Sequence, residues 1–563
     1  MNTPSAAQTS VEAYPAEIRL EQAFAEGGEA DLTGTAPAAA RTVRAAVIAA
    51  LLRGGRRPGA PSGAPAPALR LRGAEVAGRL DLTAGAVAAE VLRIRFEDCV
   101  FDEPVVCADA VLPGLALAGC RVPAVDADRV RVQGPLELRR CVIPGGVRLE
   151  RARAETDVVL AGSTLGPGTD GTALAAEGML VGGVLDLAGV AASGAVLLAG
   201  VRVTGPVRLD DAEVRVPGGD ALSLDRSALG DRLLARRLVV VGALRMFNAD
   251  VAGSVQLTGA RLSNPDGIAL GASGAAVRGA VWCAAPFTAS GEVRLTGADL
   301  RTRLDFSGAR IGRPGGLTAL RLDRMSASDV GLRDLAVTCG TVSAAGVHVR
   351  DTFDVRVGRL DALDLSHSTA GALLDDPERW PARMALAGLS YRSLHPVLPA
   401  AERLRWLERD PSGDAATQAF EQLAQHYTHL GRPADARKVR YAAQRRRRAG
   451  LTGVARLWEG VLEVAVGYGF RPWRALGWLG VLVVLGTLVF GSAAPVPLDP
   501  EKAPPFHAAA YTLDLLLPLV DLGQETAFQP VGSTQPFAYA LIGIGWVLAS
   551  AVGLGLGRAL SRS

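Results

Sequence analysis

A beat of eleven residues governs most of this chain. Between about Ala66 and Leu374 one pattern keeps returning: Gly, a spacer, an apolar residue, a spacer, then Leu, closed by a small pair such as Ala-Gly. Copies read "GRLDLTAG" at Gly78, "GPLELRR" at Gly134, "GGVLDLAG" at Gly182, "GAVLLAG" at Gly194, "GPVRLDDA" at Gly205, "GSVQLTGA" at Gly253 and "GEVRLTGA" at Gly291. Gly183, Gly194 and Gly205 lie eleven residues apart, as do Gly242 and Gly253. Alternations such as Val-Arg-Leu and Leu-Asp-Leu put apolar side chains on one face and charged ones on the other, the period of a strand. Glycine marks the corners, where the chain turns and side chains do not fit. No helix-length run of period 3.6 interrupts this region. Aromatic residues are 5% of the chain and glycines number 66, a composition for a thin repetitive core rather than a large one built on Phe and Trp. Two units close a coil of about 22 residues, so stacking at ~4.8 Å predicts a parallel β-helix of roughly 14 coils, ~65–70 Å long.

The stretches "GADLRTRLDFSGARIG" (Gly297 to Gly312) and "LTGARLS" (Leu257 to Ser263) place a central Leu or Ile after a small residue. They resemble the pentapeptide-repeat family, which implies a right-handed, four-sided parallel β-helix. Some rods of that family mimic DNA through a strongly acidic face. Here 60 Lys+Arg stand against 57 Asp+Glu, for a net charge of +3, and Arg is interleaved with Asp and Glu along the rod. That balance argues against mimicry and against a nucleic-acid partner. Charged residues on the rod do not converge on a catalytic set. Asp305, Asp323 and Asp364 fall at outward strand positions, and His348 and His367 stand apart from any Ser or Cys nucleophile pattern. Cys99, Cys107, Cys120, Cys141, Cys283 and Cys339 form no CxxC pair and read as buried free thiols.

The flanks have other periods. Residues 1–65 hold two short helical stretches, "YPAEIRLEQAFAEGG" and "ARTVRAAVIAALLRGG", which suit a cap on the bare edge of the first coil, followed by a Pro/Gly linker. No secretory signal is visible, so the rod, residues 66–374, is expected in the cytoplasm. Residues 375–450 read as a helical adaptor. Phe420, Leu423, Tyr427 and Leu430 stripe one helix, Gly431 and Pro433 break it, and Ala436, Val439 and Ala442 continue on a second, much like one tetratricopeptide-type unit. His426 and His429 have a metal-compatible spacing, but a third ligand is missing and no metal or cofactor is expected. The run Arg445, Arg446, Arg447 and Arg448, with Arg471 and Arg474, reads as a lipid-facing basic collar that meets anionic head groups. Between them, residues 451–472 read as an interfacial amphipathic helix.

Residues 473–563 read as a two-span membrane domain. Trp473–Gly491 and Phe537–Gly557 are each near the ~20 apolar residues that cross a bilayer, with Trp473 and Trp478 as interface anchors. Positive charge outside both spans predicts a bacterial inner-membrane protein with both termini and the β-helix in the cytoplasm. Val466-Gly467-Tyr468-Gly469 looks like a potassium filter, but precedes the first span and cannot lie between the two. The stretch Tyr-Gly-Phe-Arg-Pro-Trp-Arg (Tyr468 to Arg474) resembles bacterial membrane proteins that join pentapeptide repeats to a two-helix ion-channel domain. That resemblance implies a pore loop after the first span, here Phe506 to Pro530, with Ala508–Leu517 as its helix and Asp514, Asp521, Gly523, Gln524 and Glu525 as pore-loop residues. Both filter threonines and one filter glycine are missing, so the filter is degenerate. Gly543 and Gly545 suit either an inner-helix hinge or close helix packing.

Three functions follow as expectations. The first is a non-enzymatic, channel-like membrane protein whose rod senses or docks, which requires a homo-oligomer, a tetramer if it forms a pore. The second is a membrane-tethered scaffold binding a protein partner along the rod, without transport. The third, a membrane-associated oxidoreductase, has no Rossmann fingerprint, CxxC or haem-ligand pattern behind it.

Overall fold

The computed structural model describes residues 14–35, 38–54, 68–85, 87–88, 91–358, 360–411, 417–449, 473–499, 503–517 and 520–560. The chain forms two compact units, Met1–Val397 and Leu398–Ser563.

The first unit is a parallel β-solenoid of about fourteen coils, consistent with a pentapeptide-repeat-like β-helix. Its short coils carry four brief strands, as in Arg131–Val132, Leu136–Arg139, Val142–Ile143 and Val147–Arg148. Each strand pairs in parallel with its equivalents in the coils before and after, building two long sheets. Register is kept strictly. Leu112, Val132, Ala154, Val181, Val203, Leu229, Val251, Val277 and Leu300 form one inward ladder, all buried. A one-residue slip would turn such a column outward, so this ladder is what fixes the winding. Burial of each Val or Leu is worth ~1.5–3 kcal/mol.

The corners stack as strictly as the strands. One column runs through Ala84, Asp109, Arg129, Arg151, Gly178, Gly200, Arg226, Asn248, Gly274, Gly297, Arg324, Gly346, His367 and Gly388, every one left-handed with φ between 47° and 74°. Where Asp ends the preceding strand, its carboxylate often accepts the N–H two residues on: Asp186 from Ala188 (3.0 Å), Asp305 from Ser307 (2.8 Å) and Asp364 from Ser366 (2.8 Å). This is the side-chain turn that Asp favours. Outward Asp in "Leu-Asp-Leu" therefore closes corners.

Coil length is not constant. Asp109 to Arg129 takes 20 residues and Arg151 to Gly178 takes 27. The longer coils carry outward excursions built on Pro-Gly turns, at "GPGTDG" (166–171), "VPGGD" (216–220), "NPDG" (264–267) and "RPGG" (313–316). Pro167, Pro217, Pro265 and Pro314 recur at steps of 50, 48 and 49. From Arg151 to Gly346 the repeat is thus two coils, one long and one short. On the short coils a glycine runs beneath the excursion: a Cβ at Gly242 would stand 2.4 Å from the Val216 carbonyl oxygen, and one at Gly291 would stand 2.2 Å from that of Asn264. Both have φ near +120°, closed to ordinary side chains.

Two helices pack against the first strands of the solenoid. Helix α1 (Pro15–Glu26) buries Ala16, Leu20 and Phe24, and α2 (Ala45–Gly54) buries Ala45, Ile48, Ala49 and Leu52. Glu17, buried in α1, accepts from Arg44 Nε at 2.8 Å and Nη2 at 2.6 Å, which ties the helix to the strand preceding α2. Strands continue as far as Ser390–His395, and so does the corner column, to Gly388.

The second unit begins with α3 (Ala400–Glu408), α4 (Thr417–His429) and α5 (Pro433–Ala449). Trp406, Phe420, Leu423 and Tyr427 form their core, and the Tyr427 hydroxyl donates to the Leu398 carbonyl at 2.7 Å. Then come α6 (Trp473–Ser492), α7 (Ala508–Leu516) and α8 (Thr534–Leu560). Phe490, Tyr511, Leu515, Leu516, Phe528, Ala538 and Leu541 make a separate small core among these three.

The expectation of two transmembrane helices is overturned. Among the described residues no helix is long and apolar enough to cross a membrane. Apolar content in both segments is real, but it also serves the contacts with α7. The proposed interfacial helix, 451–472, lies outside the described residues, as do Arg471 and the side chains of Arg447, Arg448, Trp473 and Arg474.

Candidate functional site

The residues expected in a pore loop come together, around a carboxylate that faces inward. Asp514 on α7 is 3% exposed. It accepts three backbone N–H groups, from Leu522 at 2.7 Å, Gln524 at 2.9 Å and Glu525 at 2.7 Å. Asp521 accepts from Gly523 N–H at 2.7 Å, and the Gln524 carboxamide bridges His507 N–H and the Pro505 carbonyl. Gly523 supplies the left-handed turn, φ 75°. Burial, with Asp514 and Asp521 close by, pushes the Glu525 carboxyl above its ordinary range, and burial pushes the Tyr511 phenol up to about 12. In this arrangement Asp514 organises its own loop. Gly545 is a packing glycine: a Cβ there would lie 2.4 Å from the Leu516 carbonyl oxygen, whereas Gly543 has nothing within 4 Å.

Of the basic collar, Arg445 is exposed and Arg446 turns inward. Arg446 donates to the Leu407 carbonyl at 3.0 Å and to that of Asp410, closing the end of α3, and its guanidinium lies over the Phe420 ring. This is the cation placement a helix C-terminus favours. Trp478 is 45% exposed on α6. His426 is buried against Tyr427, and among the described residues no group of three His, Cys, Asp or Glu side chains is placed to hold a metal ion.

The cysteines are stacked. Cys99, Cys120 and Cys141 occupy one column on three successive coils, each thiol donating to the carbonyl two residues back. Desolvation pushes the Cys107 thiol up to about 12, which removes its thiolate at neutral pH. Cys339 is exposed.

Among the described residues, two grooves with mainly apolar linings lie on the sheet faces. The first, about 540 Å³, crosses the coils from Ala154 to Arg278. It exists because the outward positions there are small: Gly182, Thr204, Ala228, Gly230 and Ala252. Charge enters it at Arg202, which precedes Ala228 in its ladder, and at the pair Arg278–Asp250, 3.3 Å apart. The second groove, about 370 Å³, lies on the other sheet beside Pro314. Arg261, Thr288 and Arg310 are successive members of one outward ladder, with Ser263, Ser290 and Gly312 in the ladder beside it. Sequence reading missed both grooves, because it followed which residues alternate and not how small the outward ones are. Runs of Ala and Gly at outward positions are the signal that would have found the first. No family model, curated protein or solved structure matches this chain.

Proposed function

We propose that this chain is a non-enzymatic docking scaffold, in which the solenoid presents a fixed pattern of side chains to a protein partner. The observation that carries this reading is the first groove. It is a strip of small residues crossing six coils, apolar in its floor, with Arg202 and the Arg278–Asp250 pair among its lining residues. Stacked coils set side chains at intervals of ~4.8 Å on a rigid surface, so recognition loses little to ordering. Five such steps span ~24 Å, room for an extended segment of ~7 residues. We read the coils as the right-handed, four-sided kind that the stretch Gly297 to Gly312 resembles.

Photo-crosslinking on the full chain tests the proposal. A crosslinker placed at Ala228 or Ala252 is expected to give one defined protein adduct, and the adduct from position 252 is expected to be lost when Ala228→Arg fills the groove. A crosslinker at Val142, exposed on the other sheet, is the control. Identical adducts from all three positions, or none from any, would refute the assignment.

A further inference from the structure

The second groove differs from the rest of the rod in its charge. Elsewhere on the solenoid, guanidiniums commonly meet carboxylates: Arg129 with Asp109 at 2.7 Å, Arg148 with Asp128 at 2.7 Å, Arg236 with Asp210 at 2.9 Å, and Arg278 with Asp250 in the first groove. The lining of the second groove contains no carboxylate. Arg261 and Arg310 stand two coils apart on one ladder, with Thr288 between them. Neither guanidinium makes an ion pair among the described residues, and the hydroxyls of Ser263, Thr288 and Ser290 have no protein partner there either. Thr338 closes the far side, its hydroxyl seated over Gly312, where a Cβ would be only 2.2 Å away. Glycine at 312 therefore makes room for that hydroxyl.

Two cations and three O–H groups, those of Ser263, Thr288 and Ser290, line one concavity that holds no carboxylate. Two arginine backbone positions ~9.6 Å apart along one ladder bring two like charges to the same groove, and an anion between them would offset that charge. Tetrahedral oxyanions match this donor set, since guanidinium forks grip two oxygens at once and hydroxyls serve the remainder. We propose that this groove binds a phosphate group, free or as a phosphomonoester, over Thr288 between Arg261 and Arg310. The proposal does not rest on the docking reading, because affinity for the anion is measured without a partner.

The full chain is titrated calorimetrically at low ionic strength with inorganic phosphate and, separately, with O-phosphoserine. Saturable one-to-one binding is expected, at least tenfold weaker in Arg261→Ala and in Arg310→Ala, and several-fold weaker in Thr288→Val, which keeps the shape and removes the hydroxyl. Arg153→Ala alters an exposed arginine of the other sheet and is expected to leave binding unchanged. Should either alanine variant lower the unfolding midpoint, Arg261→Lys keeps the charge without the fork and is expected to bind at intermediate strength. Tighter binding of O-phosphoserine places the anion on a partner; equal binding indicates the free ion. Equal losses in Arg153→Ala, or no saturable binding by the wild-type chain, overturn the assignment.

Discussion

A carboxylate 1% exposed inside a thin rod needs a reason to be charged, and Glu292 has three. Arg294 Nε donates to it at 2.8 Å, Arg321 Nε at 3.0 Å and Arg313 Nη1 at 2.5 Å. Arg313 belongs to the excursion "RPGG" and Glu292 follows Gly291 on the short coil below, so this cluster pins an excursion to the rod. Burial alone would raise the Glu292 carboxyl; the guanidiniums of Arg294 and Arg321 outweigh it and hold it below the usual carboxylate range. A depressed folded value gives stability that is full above the unfolded pKa, about 4.3, and disappears as pH falls through the folded value. Urea unfolding from pH 7 to pH 3 is therefore expected to show a steeper acid loss in the wild type than in Glu292→Gln. At pH 7 the variant is expected to be less stable by about 3 kcal/mol, because three cations lose a shared partner. Parallel curves for the two proteins would count against this role. The left-handed corners behave differently. Arg, Asp, Asn and His hold several of them against a strain of ~1–3 kcal/mol each, and the regularity of the stack is what maintains that strain.

At the scale of elements, the strands were legible and their grouping was not. Alternation showed the short strands, and eleven-residue spacing showed the coils, because inward Leu and Val columns cannot slip without exposure. The longer beat near 49 residues was hidden, since an excursion inserts residues just where the eleven-residue count is being kept. In the second unit a helix was expected over 508–517 as part of a pore loop and a helix stands at 508–516, but hydropathy misled at the two apolar runs. Apolar content measures what is buried and does not say whether lipid or protein buries it. Gly543 and Gly545 show the same limit: the sequence left hinge and packing equally open, and only the position of the Leu516 carbonyl separates them. Gly545→Ala is expected to force α8 from the end of α7 and to cost on the order of 2 kcal/mol. Gly543→Ala, in open space, is expected to gain ~0.5–1 kcal/mol from helix propensity. Hydrogen exchange of peptides from 503–550 reads both changes. Faster exchange in both variants alike would restore the hinge reading.

For the whole molecule, the two-coil repeat sets what can be removed. Coils of a solenoid touch only their neighbours, so stability is close to a sum over coils and their interfaces. Any deletion that joins equivalent corners keeps every ladder in register. It does not follow that any coil can go. Arg226 and Asn248 are adjacent in the corner column, and the 22 residues 226–247 between them include Gly242, which runs beneath the excursion at Val216. Removing those 22 stacks the excursion coil at 216–220 directly on the one at 264–267. Two Pro-Gly loops then compete for the same space, and no glycine runs between them. Removing the 48 residues 200–247 instead joins Ala199 to Asn248, leaves Gly194 next to the coil of Asn264, and preserves the alternation of long and short. The longer deletion is therefore expected to be the milder one. It should fold cooperatively, with the rod shortened by two coils, or ~9.6 Å in small-angle scattering. The 22-residue deletion is expected to lower the unfolding midpoint markedly and to expose strand edges that associate. If the shorter deletion proved the more stable of the two, the repeat would be one coil, and the excursions would be loops hung on it without consequence for the stack.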